Sequence, residues 1–220
     1  MTYCHQLLDQ DVPTIGIHDT VDHAMLVAEE GMLTHLPVLD GHIYQGMISQ
    51  TDLEDANPED TLSNLQHLFI KPFVRGSDHF IHSLRMRSRF QVDLVPVLNE
   101  QQEWEGGLGA SVMLDQLSQM TGVNAPGALI ILEMPRHDYA PGELNRLVES
   151  NDAMILQMNT WEDPATGHLQ VILRLNREEV SDVMATLQRH EYQVVFHYGD
   201  ESYDNALQHN LDHLMNYLNI

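Results

Sequence analysis

Apolar and polar positions follow two different rhythms along this chain, and the change between them divides it. Val12 to Ile17 is short and β-branched, bounded by Pro13 and by polar His18-Asp19-Thr20, which predicts a strand entering a helix capped near Asp19 or Thr20. Val21, Ala24, Met25 and Ala28 then recur at helical spacing, leaving Asp22 and Glu29 for water, until Gly31 stops the run. Leu36 to Leu39 and Tyr44 to Ile48 are apolar runs separated by Asp40-Gly41, a dipeptide that favours a tight hairpin. Ser49 to Asp55 begins a closing helix.

The same pattern returns. Residues 13–39 align without a gap onto residues 72–98, placing Pro13 on Pro72, Asp19 on Asp78, Met25 on Leu84, and Leu36-Pro37-Val38-Leu39 on Val95-Pro96-Val97-Leu98. Each copy continues through a polar turn to a glycine, Gly46 or Gly106, that opens a new segment. Two copies of one supersecondary unit account for this.

Thr121-Gly122-Val123-Asn124-Ala125-Pro126-Gly127 is rich in turn formers and marks a boundary. Beyond it the pattern predicts strand Ala128–Met134, helix Pro141–Ser150, strands Ala153–Trp161 and His168–Leu175, helix Glu178–His190 and strand Tyr192–Tyr198. That order is βαββαβ, a ferredoxin-like antiparallel sheet with two helices on one face, so the fold class expected for the whole chain is α+β. From Ser202, Leu207, Leu211, Leu214, Met215 and Leu218 fall at helical spacing and predict an amphipathic helix that buries its stripe on its own domain or on a second subunit. His209 and His213 stand four apart on it, but with no third ligand nearby no metal site is assigned.

Composition narrows the function. The 220 residues are 43% hydrophobic, enough for two small domains. No stretch approaches the roughly 20 apolar residues of a membrane span, and the first ten residues lack the basic and apolar regions of an export signal. A single cysteine, Cys4, leaves no internal disulfide, which fits a reducing cytoplasm. With 10 Lys and Arg against 33 Asp and Glu the net charge is -23, so the mean field repels nucleic acid. Half of the basic residues, Lys71, Arg75, Arg85, Arg87 and Arg89, nevertheless crowd one short window, either as a local anion site or as a solvated helix face. Cys4 has no positioned base, no Gly-x-Ser-x-Gly or phosphate loop occurs, and the carboxylates are too scattered to pair as acid and base; no catalytic residue is assigned, and the chain is expected not to be an enzyme.

The first copy, with His35-Leu36-Pro37-Val38-Leu39-Asp40-Gly41 and then Gly46-Met47-Ile48-Ser49-Gln50-Thr51-Asp52, resembles a CBS domain. The resemblance implies units over residues 1–62 and 63–122 that pack as a disc, with clefts that bind adenosine-containing ligands; the candidates are AMP, ADP, ATP and S-adenosylmethionine, and no tightly held cofactor is implied. It assigns Ser49 and Asp52 to the ribose, Thr14 to the entry strand, and the backbone of His35 and Leu36 ahead of Pro37 to the cleft. A hydroxyl and a carboxylate at this spacing can bind a ribose diol or simply cap a helix, and both readings stand. The second copy has Gly109 and Val112 at those positions, and neither side chain can accept from a ribose. Arg75, Arg85 and Arg89 are candidates to meet a phosphate from the opposite side.

Residues 126–200 resemble an ACT domain through the order of elements and through His137-Asp138-Tyr139-Ala140-Pro141-Gly142-Glu143-Leu144. That resemblance implies amino-acid binding by Asp138, Gly142, Glu143 and Leu144; an ordinary turn with Pro141 starting the helix is the alternative. Residues 201–220 form the last segment, the predicted amphipathic helix. CBS and ACT units together are similar to acetoin-utilisation-type proteins, a resemblance that leaves the biological role open; the expectation is a cytoplasmic, homodimeric small-molecule sensor with a regulated enzyme as candidate partner. A ligand-free dimerisation or scaffold module is the rival reading.

Overall fold

A computed structural model describes residues 2–199, so the predicted C-terminal helix lies outside the described residues. The chain divides into two compact units, residues 1–120 and 121–220.

In the first unit, β1 (Ile15–Gly16) runs parallel to β2 (His35–Asp40), which turns into antiparallel β3 (Ile43–Ser49). Between β1 and β2 runs α1 (Val21–Glu30), whose Thr20 cap accepts from the His23 amide at 3.3 Å. A five-residue α2 (Gln50–Glu54) closes the repeat. β1 is shorter than the β-branched run because Pro13 has no N–H to pair, and because the Asp19 carboxylate takes the Gly16 amide at 2.9 Å.

The second repeat contains β4 (Val74–Arg75), α3 (Ile81–Phe90), β5 (Leu94–Leu98), β6 (Trp104–Gly109) and α4 (Ala110–Thr121). Its register reproduces the first: Ile15 faces Val38 as Val74 faces Val97, and Asp78 accepts from the Arg75 amide at 2.8 Å as Asp19 does from Gly16. Each sheet has its bulge where the glycine sits. Gly46 (φ 146°) and Gly106 (φ 151°) adopt backbone that side chains disfavour, and an added Cβ would meet the Ile70 carbonyl oxygen at 2.8 Å or the Asp9 carbonyl oxygen at 2.6 Å. These glycines admit Ile70 and Asp9 to bridge Met47 and Gly107.

The repeats touch at both ends of their hairpins. The Thr34 amide and hydroxyl donate to Asp93 at 2.9 and 2.7 Å, and at the other end Ile43 bridges Glu103. Ile15, Val21, Leu36, Ile48 and Leu53 form one core, and Val74, Val95, Val97, Leu108 and Met113 another. The short turn Cys4–Gln6 is pinned to the second repeat, with the Cys4 amide donating to the Asp78 carbonyl at 2.9 Å.

The second unit contains β7 (Leu129–Met134), α5 (Pro141–Glu149), β8 (Ile155–Glu162), β9 (Leu169–Leu175), α6 (Ser181–Arg189) and β10 (Gln193–Tyr198). Its antiparallel sheet has the order β10-β7-β9-β8. Ile130, Leu132, Val171 and Leu173 pack with Leu144, Leu147, Val183 and Leu187 of the two helices. α6 begins at Ser181, later than its periodicity suggests, because the Glu179 carboxylate captures the Ser181 amide at 2.8 Å ahead of the first turn.

Candidate functional site

Ser49 ends β3 and caps α2. Its hydroxyl accepts from the Asp52 amide at 3.0 Å and donates to an Asp52 carboxylate oxygen at 2.5 Å. Opposite it across the hairpin is His35, and the next pair inward is Leu36 with Ile48. Thr14 immediately precedes the Ile15–Val38 pair and so comes level with Pro37 at this same end of the sheet. Thr14, His35, Leu36, Pro37, Ser49 and Asp52 therefore share one end of the first repeat, with the Thr34–Asp93 contact beside them.

His35 Nδ1 lies 3.0 Å from the Thr34 hydroxyl. Burial holds its imidazole below the ordinary histidine range, an effect partly offset by the Asp93 and Asp52 carboxylates. A neutral imidazole beside the half-buried Ser49–Asp52 pair is a polar, uncharged edge for a sugar or purine. Asp52 keeps a second carboxylate oxygen as an acceptor after its bond from Ser49.

Arg75 is placed elsewhere. Arg75 pairs with Leu98 at the far end of β5, four residues from the Leu94 that follows Asp93, or roughly 13 Å along a strand. It does not join Ser49 and Asp52. Its guanidinium instead bonds Glu100 at 2.8 Å. There it lines an open cleft of about 630 Å³ with Tyr3, His5, Glu100 and Glu105. The sequence hid this cleft because Tyr3 and His5 reach it through a long-range contact, His5 Nδ1 lying 2.8 Å from the Gly76 carbonyl oxygen. Arg85 and Arg89 are exposed on α3, and neither has a salt bridge to a carboxylate among the described residues.

In the second unit Asp138 and Glu143 line a cleft of about 400 Å³ with Glu133, Glu191 and Tyr192, whose hydroxyl donates to Glu143 at 3.3 Å. The Glu143 and Leu144 amides both donate to the Ala140 carbonyl, which removes them as ligand donors at this helix start. The Leu144 side chain is fully buried in the core, and Gly142 has open space around it, so no close approach requires a glycine there. Carboxylates dominate this cleft, so it suits an ammonium group and repels a ligand carboxylate.

Among the described residues, no helix is long and apolar enough to cross a membrane, and no group of three or more His, Cys, Asp or Glu is placed to hold a metal ion.

No family model matches the chain. In three dimensions it is similar to a CBS domain pair/ACT domain protein from Thermotoga maritima, with a TM-score of 0.50 and 20% identity over 54% of this chain and 98% of that one. About half of the chain has the fold of a CBS domain pair. A CBS domain-containing protein from Bacillus anthracis aligns with a TM-score of 0.45 and 21% identity over 54% of this chain and 94% of that one. CBSX2 in complex with AMP aligns with a TM-score of 0.46 and 17% identity over 55% of this chain and 99% of that one. By sequence, 117 residues are 27% identical to a homoserine O-acetyltransferase of Methanobrevibacter ruminantium, a match that covers 52% of this chain. The chain spans about a quarter, 23%, of that curated relative's length.

Proposed function

We propose that this chain is a regulatory protein that binds an adenosine-type nucleotide at the Ser49 end of its first repeat and performs no chemistry itself. The observation that carries this reading is the Ser49–Asp52 pair at the head of α2, level with Thr14 and with the backbone of His35 and Leu36. In that arrangement the ribose diol donates to Asp52, the Ser49 hydroxyl turns toward the sugar, and His35 stays neutral against the base. AMP, ADP, ATP and S-adenosylmethionine share the adenosine this site addresses. Occupancy shifts the population of conformers by no more than the ligand's differential affinity for them, and a regulated enzyme reads that shift. The setting proposed is cytoplasmic and homodimeric.

Binding is asymmetric in this reading, because Gly109 and Val112 replace the polar pair in the second repeat. The same replacement favours the rival reading of a scaffold with vestigial pockets. The second unit is proposed to be ACT-like on its order of elements, and its acidic turn is suited to an amino acid's ammonium end.

A thermal-shift panel of the four nucleotides and of amino acids tests this, since any ligand of the folded state raises its stability. Stabilisation by an adenosine compound supports the sensor. Uniform absence of a shift at millimolar ligand leaves the scaffold.

A further inference from the structure

Arg174 is the only charged side chain that is buried among the described residues, with 8% of its surface exposed. Along β9, Val171, Leu173 and Leu175 pack with α5 and α6, so Arg174 points to the opposite face of the sheet, in a cross-strand row with Leu129 of β7 and Tyr198 of β10. A sheet face without helices leaves an arginine in water, but here the linker ahead of β7 covers it. An added Cβ on Gly122 would sit 3.4 Å from Arg174 Nε, and Arg174 Nη2 donates to the Ala125 carbonyl. The Leu175 amide donates to the Ala128 carbonyl at 2.9 Å and ties the end of that linker to β9.

A guanidinium withdrawn from water is costly unless a counter-charge meets it. Among the described residues no carboxylate lies within ion-pair distance of Arg174, and its hydrogen bond goes to a neutral carbonyl. No buried side-chain nitrogen among them lacks a partner, so Nε and Nη1, which bond nothing, face an opening. That opening is a cleft of about 440 Å³ within the second unit, walled by Asn124, Gly127, Leu129, Glu178 and Tyr198. Its volume suits a small molecule.

We infer that this cleft binds a small monocarboxylate with an apolar body. The carboxylate accepts charge-assisted hydrogen bonds from Arg174 and supplies its missing counter-charge. Leu129 and Tyr198, adjacent in the cross-strand row, take the apolar part. Arg174 and Glu178 are the only charged residues lining the cleft, and the exposed Glu178 carboxylate opposes a dianion such as phosphate, so a single negative charge fits best. The overall charge of -23 does not bar an anion here, because at physiological salt exposed charges beyond about 8 Å are screened. The site shares no residue with the acidic cleft at Asp138 and Glu143 or with the Ser49 end, and depends on neither.

Isothermal titration of phenylacetate into the full chain tests it, with phenylacetamide as the neutral counterpart and inorganic phosphate as a compact anion. Phenylacetate is expected to bind saturably at one site per chain, about tenfold or more tighter than either comparator. Arg174→Gln loses the preference for the acid over the amide, and Tyr198→Ala, at an exposed position, weakens phenylacetate severalfold. Absence of phenylacetate binding at millimolar concentration, equal binding of acid and amide, tighter binding of phosphate, or an unchanged preference in folded Arg174→Gln each overturns the inference. So does an affinity unaltered by Tyr198→Ala, which places the ligand elsewhere. Failure of nucleotide binding, measured separately, leaves this result standing.

Discussion

Ser49 and Asp52 bond each other twice, hydroxyl to carboxylate at 2.5 Å and amide to hydroxyl at 3.0 Å. The pair therefore serves α2 without any ligand, and capping and ligand binding draw on the same oxygens. Ser49→Ala is expected to cost about 1 kcal/mol of stability through the lost cap. Chemical denaturation measures this cost, and a nucleotide titration of the same variant shows whether the hydroxyl also serves the ligand.

His35 gives the site a pH dependence of definite sign. Its folded pKa lies below the unfolded value near 6.5, so the folded state holds fewer protons, and the histidine's stabilising share is present above that value. It is lost as pH falls from about 6.5 through the lower folded pKa. His35→Gln is expected to flatten this acid limb relative to wild type, as followed by denaturation midpoints between about pH 5 and 7.5. An unchanged limb would remove His35 as its source.

Cys4 is fully buried, and burial followed by the nearby Asp78 carboxylate pushes its thiol up to about 11. The folded chain is expected to resist alkylation at pH 8, with labelling appearing only on unfolding. Rapid labelling of the native protein would contradict the pinning of the N-terminal turn on the second repeat.

Gly46→Ala or Gly106→Ala is expected to destabilise the first unit by about 2–4 kcal/mol, combining an unfavourable φ with contact against a carbonyl oxygen. A urea titration reads the loss. A change well below 1 kcal/mol in both variants would mean the bridges at Met47 and Gly107 are not rigid.

The sequence made the repeat legible because register follows hydrophobic pattern. Pro13 over Pro72 and Asp19 over Asp78 carry the same strand pairings and the same aspartate turn. The Ser49 end was legible too, since a cap and its neighbours on one hairpin are local. Arg75 lies away from the Ser49 end for a reason also present in the alignment. It aligns with Gly16, and Gly16 pairs with Leu39 near the hairpin tip rather than with the strand's start. The cleft at Tyr3 and His5 was hidden because its walls are distant in sequence, and Leu144 looked available only because a turn motif does not say which side chain enters the core.

Isothermal titration of AMP and ATP into the full chain, beside Asp52→Ala, measures whether the Ser49 end holds a nucleotide. Saturable binding is expected at one principal site per chain, weakened by about tenfold or more when the Asp52 acceptor is removed. Equal affinity in wild type and Asp52→Ala, or no heat from either nucleotide at millimolar concentration, would contradict it.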